Sequence, residues 1–196
     1  MKIAMLVATV FVALFAPAAL ADTISYHLTP TPVDLYDLDH NQYYTWGINR
    51  PWDSNHQVVS AKLFFDNIAN SDTTSNVLYV SLLNSGTLGV TVGTDNDASG
   101  NYFAALGSLL VTYTNLSTTP QDLTYTFTTS QLASLNSFAA DGRFALGFDP
   151  DCHYFNDGIS LDVTTASVPE PATMSVLAIG AVGALLRRRR TRQMKS

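Results

Sequence analysis

Val58-Val59-Ser60-Ala61-Lys62-Leu63-Phe64-Phe65 is the run whose reading decides the fold. Its alternation sets Val59, Ala61, Leu63 and Phe65 on one face of an extended chain, with polar partners such as Ser60 and Lys62 opposite, so it reads as a half-buried strand. Leu123, Tyr125 and Phe127 repeat the pattern, as do Ile159, Leu161 and Val163. Working outward, short runs of this kind predict strands at 23–28, 43–48, 58–65, 77–83, 88–92, 109–114, 123–127, 144–148 and 159–163. Turn-forming clusters such as Asn70-Ser71-Asp72, Asn84-Ser85-Gly86 and Asn156-Asp157-Gly158 separate them. Helical periodicity is confined to 130–138, where Leu132, Leu135 and Phe138 follow a cap at Thr129 or Ser130. The expectation is an all-β domain, a two-sheet, jelly-roll-like sandwich with one short helix, followed by a single C-terminal transmembrane helix.

The ends of the chain differ from this body in composition. The whole-chain net charge is −6, but residues 22–167 hold fifteen Asp and no Glu against Arg50, Lys62 and Arg143, a net of −12. So acidic a body makes nucleic acid and anionic membrane surfaces poor partners. Its charge is either offset by bound cations or simply keeps an exported domain soluble. Cys152 is the only cysteine, so no intramolecular disulfide can form, and its thiol is expected to be a small buried hydrophobe. One domain of this length can bury a core without such cross-links.

Val168-Pro169-Glu170-Pro171 precedes an apolar segment, 172–186, and then Arg187-Arg188-Arg189-Arg190. Fifteen residues at about 1.5 Å each span roughly 22 Å, short of the roughly 30 Å hydrocarbon core of a bilayer. Gly180 and Gly183 weaken that helix further, so the segment suits a transient span better than a lasting anchor. The arginines would stay cytoplasmic by the positive-inside bias, leaving the body outside. Pro169 and Pro171 keep Glu170 on an extended segment that a protease can read. At the N-terminus, Lys2, the apolar run 3–15 and the small-residue pattern Ala19-Leu20-Ala21 form a secretory signal peptide, residues 1–21, cleaved before Asp22. Both ends predict the same topology.

The order of Pro-Glu-Pro, apolar helix and basic cluster resembles the PEP-CTERM sorting signal of Gram-negative bacteria that make exopolysaccharide. The resemblance implies export through the Sec machinery and recognition by a membrane-embedded exosortase. It covers residues 168–196, and an ordinary C-terminal anchor is the alternative. Asp-Pro-Asp-Cys-His-Tyr, residues 149–154, more faintly resembles segments of uncharacterised domains found before such tags; that implies a sandwich and no chemistry.

Three groups in the body carry candidate chemistry. Asp95-Asn96-Asp97-Ala98-Ser99-Gly100 opens like a calcium loop, but its twelfth position is Leu106 in place of a bidentate Glu, so only a degenerate loop survives. Asp149, Asp151, His153 and Asp157 form the densest cluster of metal-ligand types. Oxygen ligands would favour calcium, whereas recruiting His153 with His40 would favour zinc. A hairpin tip with an Asp157-Gly158 turn is the plain alternative. Tyr43, Tyr44, Trp46 and Trp52 could stack on sugar rings, or could pack in the core as such residues commonly do. Glycosidases generally need paired carboxylic residues, many of them Glu, and the body has no Glu; phosphate loops, serine elbows and zinc-protease motifs are likewise missing. These readings predict an exported cell-surface or matrix protein, binding or structural and non-catalytic, in association with extracellular polysaccharide, with calcium as the cofactor to test. An Asp-based or metal-dependent extracellular hydrolase is the alternative.

Overall fold

A computed structural model of the chain describes residues 22–95 and 100–168. The signal peptide with Ala19 and Ala21, Asp97, Pro169, Glu170, Pro171, the apolar segment 172–186 and Arg187 to Arg190 lie outside the described residues. Residues 22–167 form one compact unit with its own core.

Among the described residues, ten strands build two antiparallel five-stranded sheets: β1 (Thr23–Leu28), β2 (Gln42–Asn49), β3 (His56–Asn70), β4 (Val77–Leu83), β5 (Gly89–Thr94), β6 (Gly107–Thr114), β7 (Gln121–Thr126), β8 (Arg143–Pro150), β9 (Tyr154–Phe155) and β10 (Gly158–Ser167). One sheet runs β1-β10-β3-β7, with β9 added along β3, and the other runs β5-β2-β8-β4-β6. The pairs β1·β10, β2·β8, β3·β7 and β4·β6 are nested, each inside the one before and in alternate sheets. That is a long antiparallel ribbon rolled up on itself, the jelly-roll arrangement, with β5 as an extra edge strand.

The nine expected strands are present, and the first and fourth keep their expected bounds. Alternation explains why. Leu78, Val80 and Leu82 of β4 and Phe144, Leu146 and Phe148 of β8 face Leu63 and Phe65 of β3 and Ile159, Leu161 and Val163 of β10, all buried in one core. Phe65 and Phe148 meet edge to face across the sheets, with ring centroids 6.0 Å apart.

Four expectations are corrected. Val59 is exposed and Val58 buried, because β10 pairs Thr164 with Ser60 and Thr165 with Val58; Val59 is the extra residue of a β-bulge that reverses the inward phase. Residues 149–158 do not form a hairpin: β8 and β10 belong to different sheets, and the segment crosses between them through β9, which pairs with Ala69 and Asn70. The helix α1 (Thr129–Phe138) is capped by Thr128, whose hydroxyl accepts from the Gln131 N–H while the Gln131 side chain accepts from the Thr128 N–H. Cys152 is half-buried against the core rather than enclosed in it. A 3-10 turn ends α1, and Gly142 supplies the left-handed φ of 98° that returns the chain to β8. α1 lies against β3 of one sheet and β4, β6 and β8 of the other, closing one end of the sandwich with Leu135.

Candidate functional site

β2 decides which aromatic residues are available to a ligand. Tyr44, Trp46 and Ile48 point inward, and Tyr44 and Trp46 are 1% and 4% exposed. The Tyr44 hydroxyl accepts from the Asp39 N–H at 2.9 Å and donates to Gln42 Oε1 at 3.0 Å, so this buried phenol is fully paired. Trp52 is also 4% exposed and packs against Tyr26 and Phe144. Tyr44, Trp46 and Trp52 are therefore core residues and leave no stacking face for a sugar.

Tyr43 faces the other way. Its ring stacks on Tyr102 with centroids 3.8 Å apart and planes 13° from parallel. It lies flat over Gly93, where a Cβ would come within 2.2 Å of the ring. Phe103 takes a similar seat on Gly147, whose missing side chain leaves room for it; a Cβ there would sit 2.8 Å from two ring carbons. Tyr43, Phe103, Leu83 and Ala145 thus make a small second apolar cluster on the outer face of the β5-β2-β8-β4-β6 sheet. Beside it lies a groove of about 360 Å³ lined by Tyr43, Tyr102, Thr45, Ser85, Thr87 and Thr91, among others. It presents aromatic edges and hydroxyl groups together. Sequence reasoning missed Tyr102 and Phe103, which stand outside any alternating run; the signal available was the pair of small residues, Gly93 and Gly147, that receive rings.

The expected metal ligands go four separate ways. Asp149 is 2% exposed, accepts from the Tyr102 N–H at 2.7 Å and shares a side-chain hydrogen bond with Asp95. Burial pushes its carboxyl up to about 6; the Tyr102 N–H opposes the shift, and the charges of Asp95 and Asp151 add to it. Asp151 accepts from the Val77 N–H, and its carboxyl is raised chiefly by burial. His153 Nδ1 lies 3.1 Å from Asp39 Oδ1, and this hydrogen bond is the main cause of the lowered Asp39 pKa. Asp157 accepts from Asn67 Nδ2 at 2.8 Å. The proposed cluster Asp149, Asp151, His153 and Asp157 does not converge. Among the described residues no three His, Cys, Asp or Glu side chains gather as metal ligands.

A second concavity, of about 740 Å³, opens at the edge where β9 joins β3. Leu35, Tyr36 and Asp37 take left-handed φ values of 56°, 66° and 52° in succession, bringing Asp34 and Asp37 to the same rim. Asp37 Oδ1 accepts from the Asn156 N–H at 3.1 Å, Asp34 Oδ1 from the Tyr36 N–H at 3.0 Å, and Asn156 Nδ2 donates to the Asp34 carbonyl at 2.9 Å. Asp34, Asn156 and Asn70 carry no sequence signal of this meeting, because the first is more than a hundred residues from the second and no alternating run contains them.

A family model for the PEP-CTERM protein-sorting motif matches residues 167–190. No curated protein matches the chain. Solved structures to which the chain bears a remote likeness include a latent aurone synthase (polyphenol oxidase), 11% identical over 67% of this chain and 26% of that one, with a TM-score of 0.41. This chain thus spans about a quarter of that enzyme's length. The capsid of Ralstonia phage GP4 is 12% identical over 79% of this chain and 89% of that one, TM-score 0.35. The K3 cleaved adhesin domain of Lys-gingipain from Porphyromonas gingivalis is 11% identical over 76% and 74%, TM-score 0.29. Likenesses this remote carry no chemistry to the present chain. The sorting motif does carry meaning: through residues 167–190 the chain carries the PEP-CTERM protein-sorting motif, which supports a PEP-CTERM domain-containing protein that is exported and sorted by an exosortase.

Proposed function

We propose that the exported body is a non-catalytic surface or matrix protein that binds extracellular polysaccharide in the Tyr43–Tyr102 groove. The observation that carries this reading is the stacked tyrosine pair, held over Gly93 beside the hydroxyls of Thr45, Ser85, Thr87 and Thr91. Sugar rings offer apolar C–H faces ringed by hydroxyls, and a site that combines aromatic surface with a few convergent polar groups suits them. Asp149 supports the groove from beneath by holding the Tyr102 N–H. A non-catalytic role is favoured by the dispersal of the acidic segment: Asp149, Asp151 and Asp157 are each held by a different partner, the N–H groups of Tyr102 and Val77 and the side-chain amide of Asn67.

The test is retention of residues 22–167 on immobilised exopolysaccharide of the producing strain, compared with Tyr102→Ala. Retention of the wild type and at least tenfold weaker retention of the variant are expected. Equal retention of both would move binding elsewhere, and no retention of the wild type would end the reading. The hydrolase alternative rests on the buried pair Asp95 and Asp149. It requires turnover of a glycan or ester that disappears in Asp149→Asn.

A further inference from the structure

Two residues that line the concavity beside β9, Asn70 and Asn156, carry buried oxygen acceptors without a partner. Asn156 Nδ2 donates to the Asp34 carbonyl at 2.9 Å and Asn70 Nδ2 to the Asp72 carbonyl at 2.7 Å. Both amide orientations are thereby fixed, since turning either group over would set oxygen against a carbonyl oxygen. The two Oδ1 atoms are therefore acceptors, yet both are buried without a partner, in residues 7% and 2% exposed. A buried acceptor left unmade is costly, so native proteins give nearly all of them a partner.

The surroundings select the kind of partner. Asp34, Asp37 and Asp157 line the same concavity, and none of its lining residues is Lys, Arg or His. Ionised carboxylates and amide oxygens can only accept, so such a site wants a donor or a cation. A thiolate or imidazole for zinc is not among the lining residues, and magnesium keeps most of its own water. Calcium takes six to eight oxygens from carboxylates, amide carbonyls and water in a forgiving geometry.

We propose that the left-handed turn carrying Asp34 and Asp37, together with Asn156, forms a calcium site at the β3–β9 edge. Asn156 Oδ1 supplies the amide oxygen and Asp34 and Asp37 supply carboxylate oxygens. Asp157 and Asn70 line the same concavity, and water completes the shell. This site is separate from the Tyr43–Tyr102 groove and does not depend on polysaccharide binding. It draws on residues that the degenerate loop at Asp95 does not use. An exported protein meets calcium at concentrations where sites with dissociation constants of about 0.1–1 mM fill.

The experiment uses residues 22–167 stripped with EDTA and titrated with CaCl2, with calorimetry and thermal melts as readouts. One site is expected, with a melting temperature raised roughly 3–5 °C at about ten times the dissociation constant and returned to the starting value by EDTA. Asp34→Asn and Asp37→Asn keep the acceptor oxygens for Tyr36 and Asn156 but remove charge, so they should fold with an unchanged metal-free melt and lose the calcium response at least tenfold. Asp149→Asn should retain the response. Three results would overturn the site: no heat and no shift at 10 mM calcium, an equal shift with NaCl at matched ionic strength, or a response that disappears in Asp149→Asn and survives in the Asp34 and Asp37 variants.

Discussion

Asp149 and Asp95 place two carboxyl groups against each other beneath Tyr102. The folded Asp149 holds its proton up to about pH 6, whereas an unfolded aspartate releases it at about 3.9. Between those values the folded state binds more protons than the unfolded one, so this group's contribution to stability is full below about pH 4 and is lost as pH rises through about 6. The loss should be about 1–3 kcal/mol. An asparagine side chain at this position would mimic the protonated carboxyl and still accept from the Tyr102 N–H. Asp149→Asn is accordingly expected to match the wild type near pH 4 and to exceed it at pH 7, measured as the difference between their urea midpoints across that range. A constant difference between the two proteins would show that the carboxyl at 149 does not titrate there. The same residue shows what single positions reveal in sequence. Asp149 and Asp151 share a parity that suggests a common face, but β8 ends at Pro150 and Asp151 turns to Val77, so the pairing dissolves where the strand does. Tyr44 and Trp46 share a parity too, with Ile48, and there the strand continues, so their burial was legible from the alternation. Trp52 lies between strands, where alternation has nothing to say.

At the scale of elements, the bulge at Val59 and the helix α1 belong to one device. β7 follows β3 only as far as Lys62, with the Phe127 N–H reaching Ala61, and beyond it Asn136 of α1 takes the place of a strand. The Val58 N–H donates to Asn136 Oδ1 at 2.7 Å, and Asn136 Nδ2 donates to the Val58 carbonyl at 2.9 Å. Val58 is 3% exposed, so removing this amide leaves two buried backbone groups without partners. Asn136→Ala should cost about 2–4 kcal/mol, at about 1–2 kcal/mol for each group. Thr128→Ala, which removes only the helix cap, should cost about 1 kcal/mol. Urea unfolding with unchanged slopes would measure both, and equal costs would mean that Asn136 serves α1 alone. The bulge itself is hidden in sequence because Val58 and Val59 are the same residue type, so nothing in the pattern marks which one faces in. β3 is likewise longer than its alternation predicts: Asn67 takes a φ of 50°, breaks the register between Phe65 and Ile68, and lets the strand resume with buried Ile68 and Ala69. β9 has two residues, too few for any period to appear.

For the whole molecule, charge and address are linked. The body carries −12 while the full chain carries −6, and the difference resides mainly in Arg187 to Arg190 and the cations around them. Cleavage by an exosortase at the Pro-Glu-Pro motif within residues 167–190 would separate the two. By the positive-inside bias the basic cluster would then stay on the cytoplasmic side, and an acidic sandwich would be released outward. The mature protein is therefore expected to begin at Asp22, to lack Arg187 to Arg190, and to focus well below the whole-chain isoelectric point of 4.9. Replacing Pro169, Glu170 and Pro171 together by Ala removes the Pro-Glu-Pro sequence from the matched motif, and with it two residues that disfavour helix. In the native host this variant should accumulate in the inner membrane with its arginines intact, read by intact mass and by isoelectric focusing of the membrane and extracellular fractions. Replacing Arg187 to Arg190 by Gln should instead weaken retention of the tail on the cytoplasmic side and lower the yield of exported protein. If the triple alanine variant is released with the same mass and isoelectric point as the wild type, processing does not depend on the motif, and the body reaches the outside by its signal peptide alone.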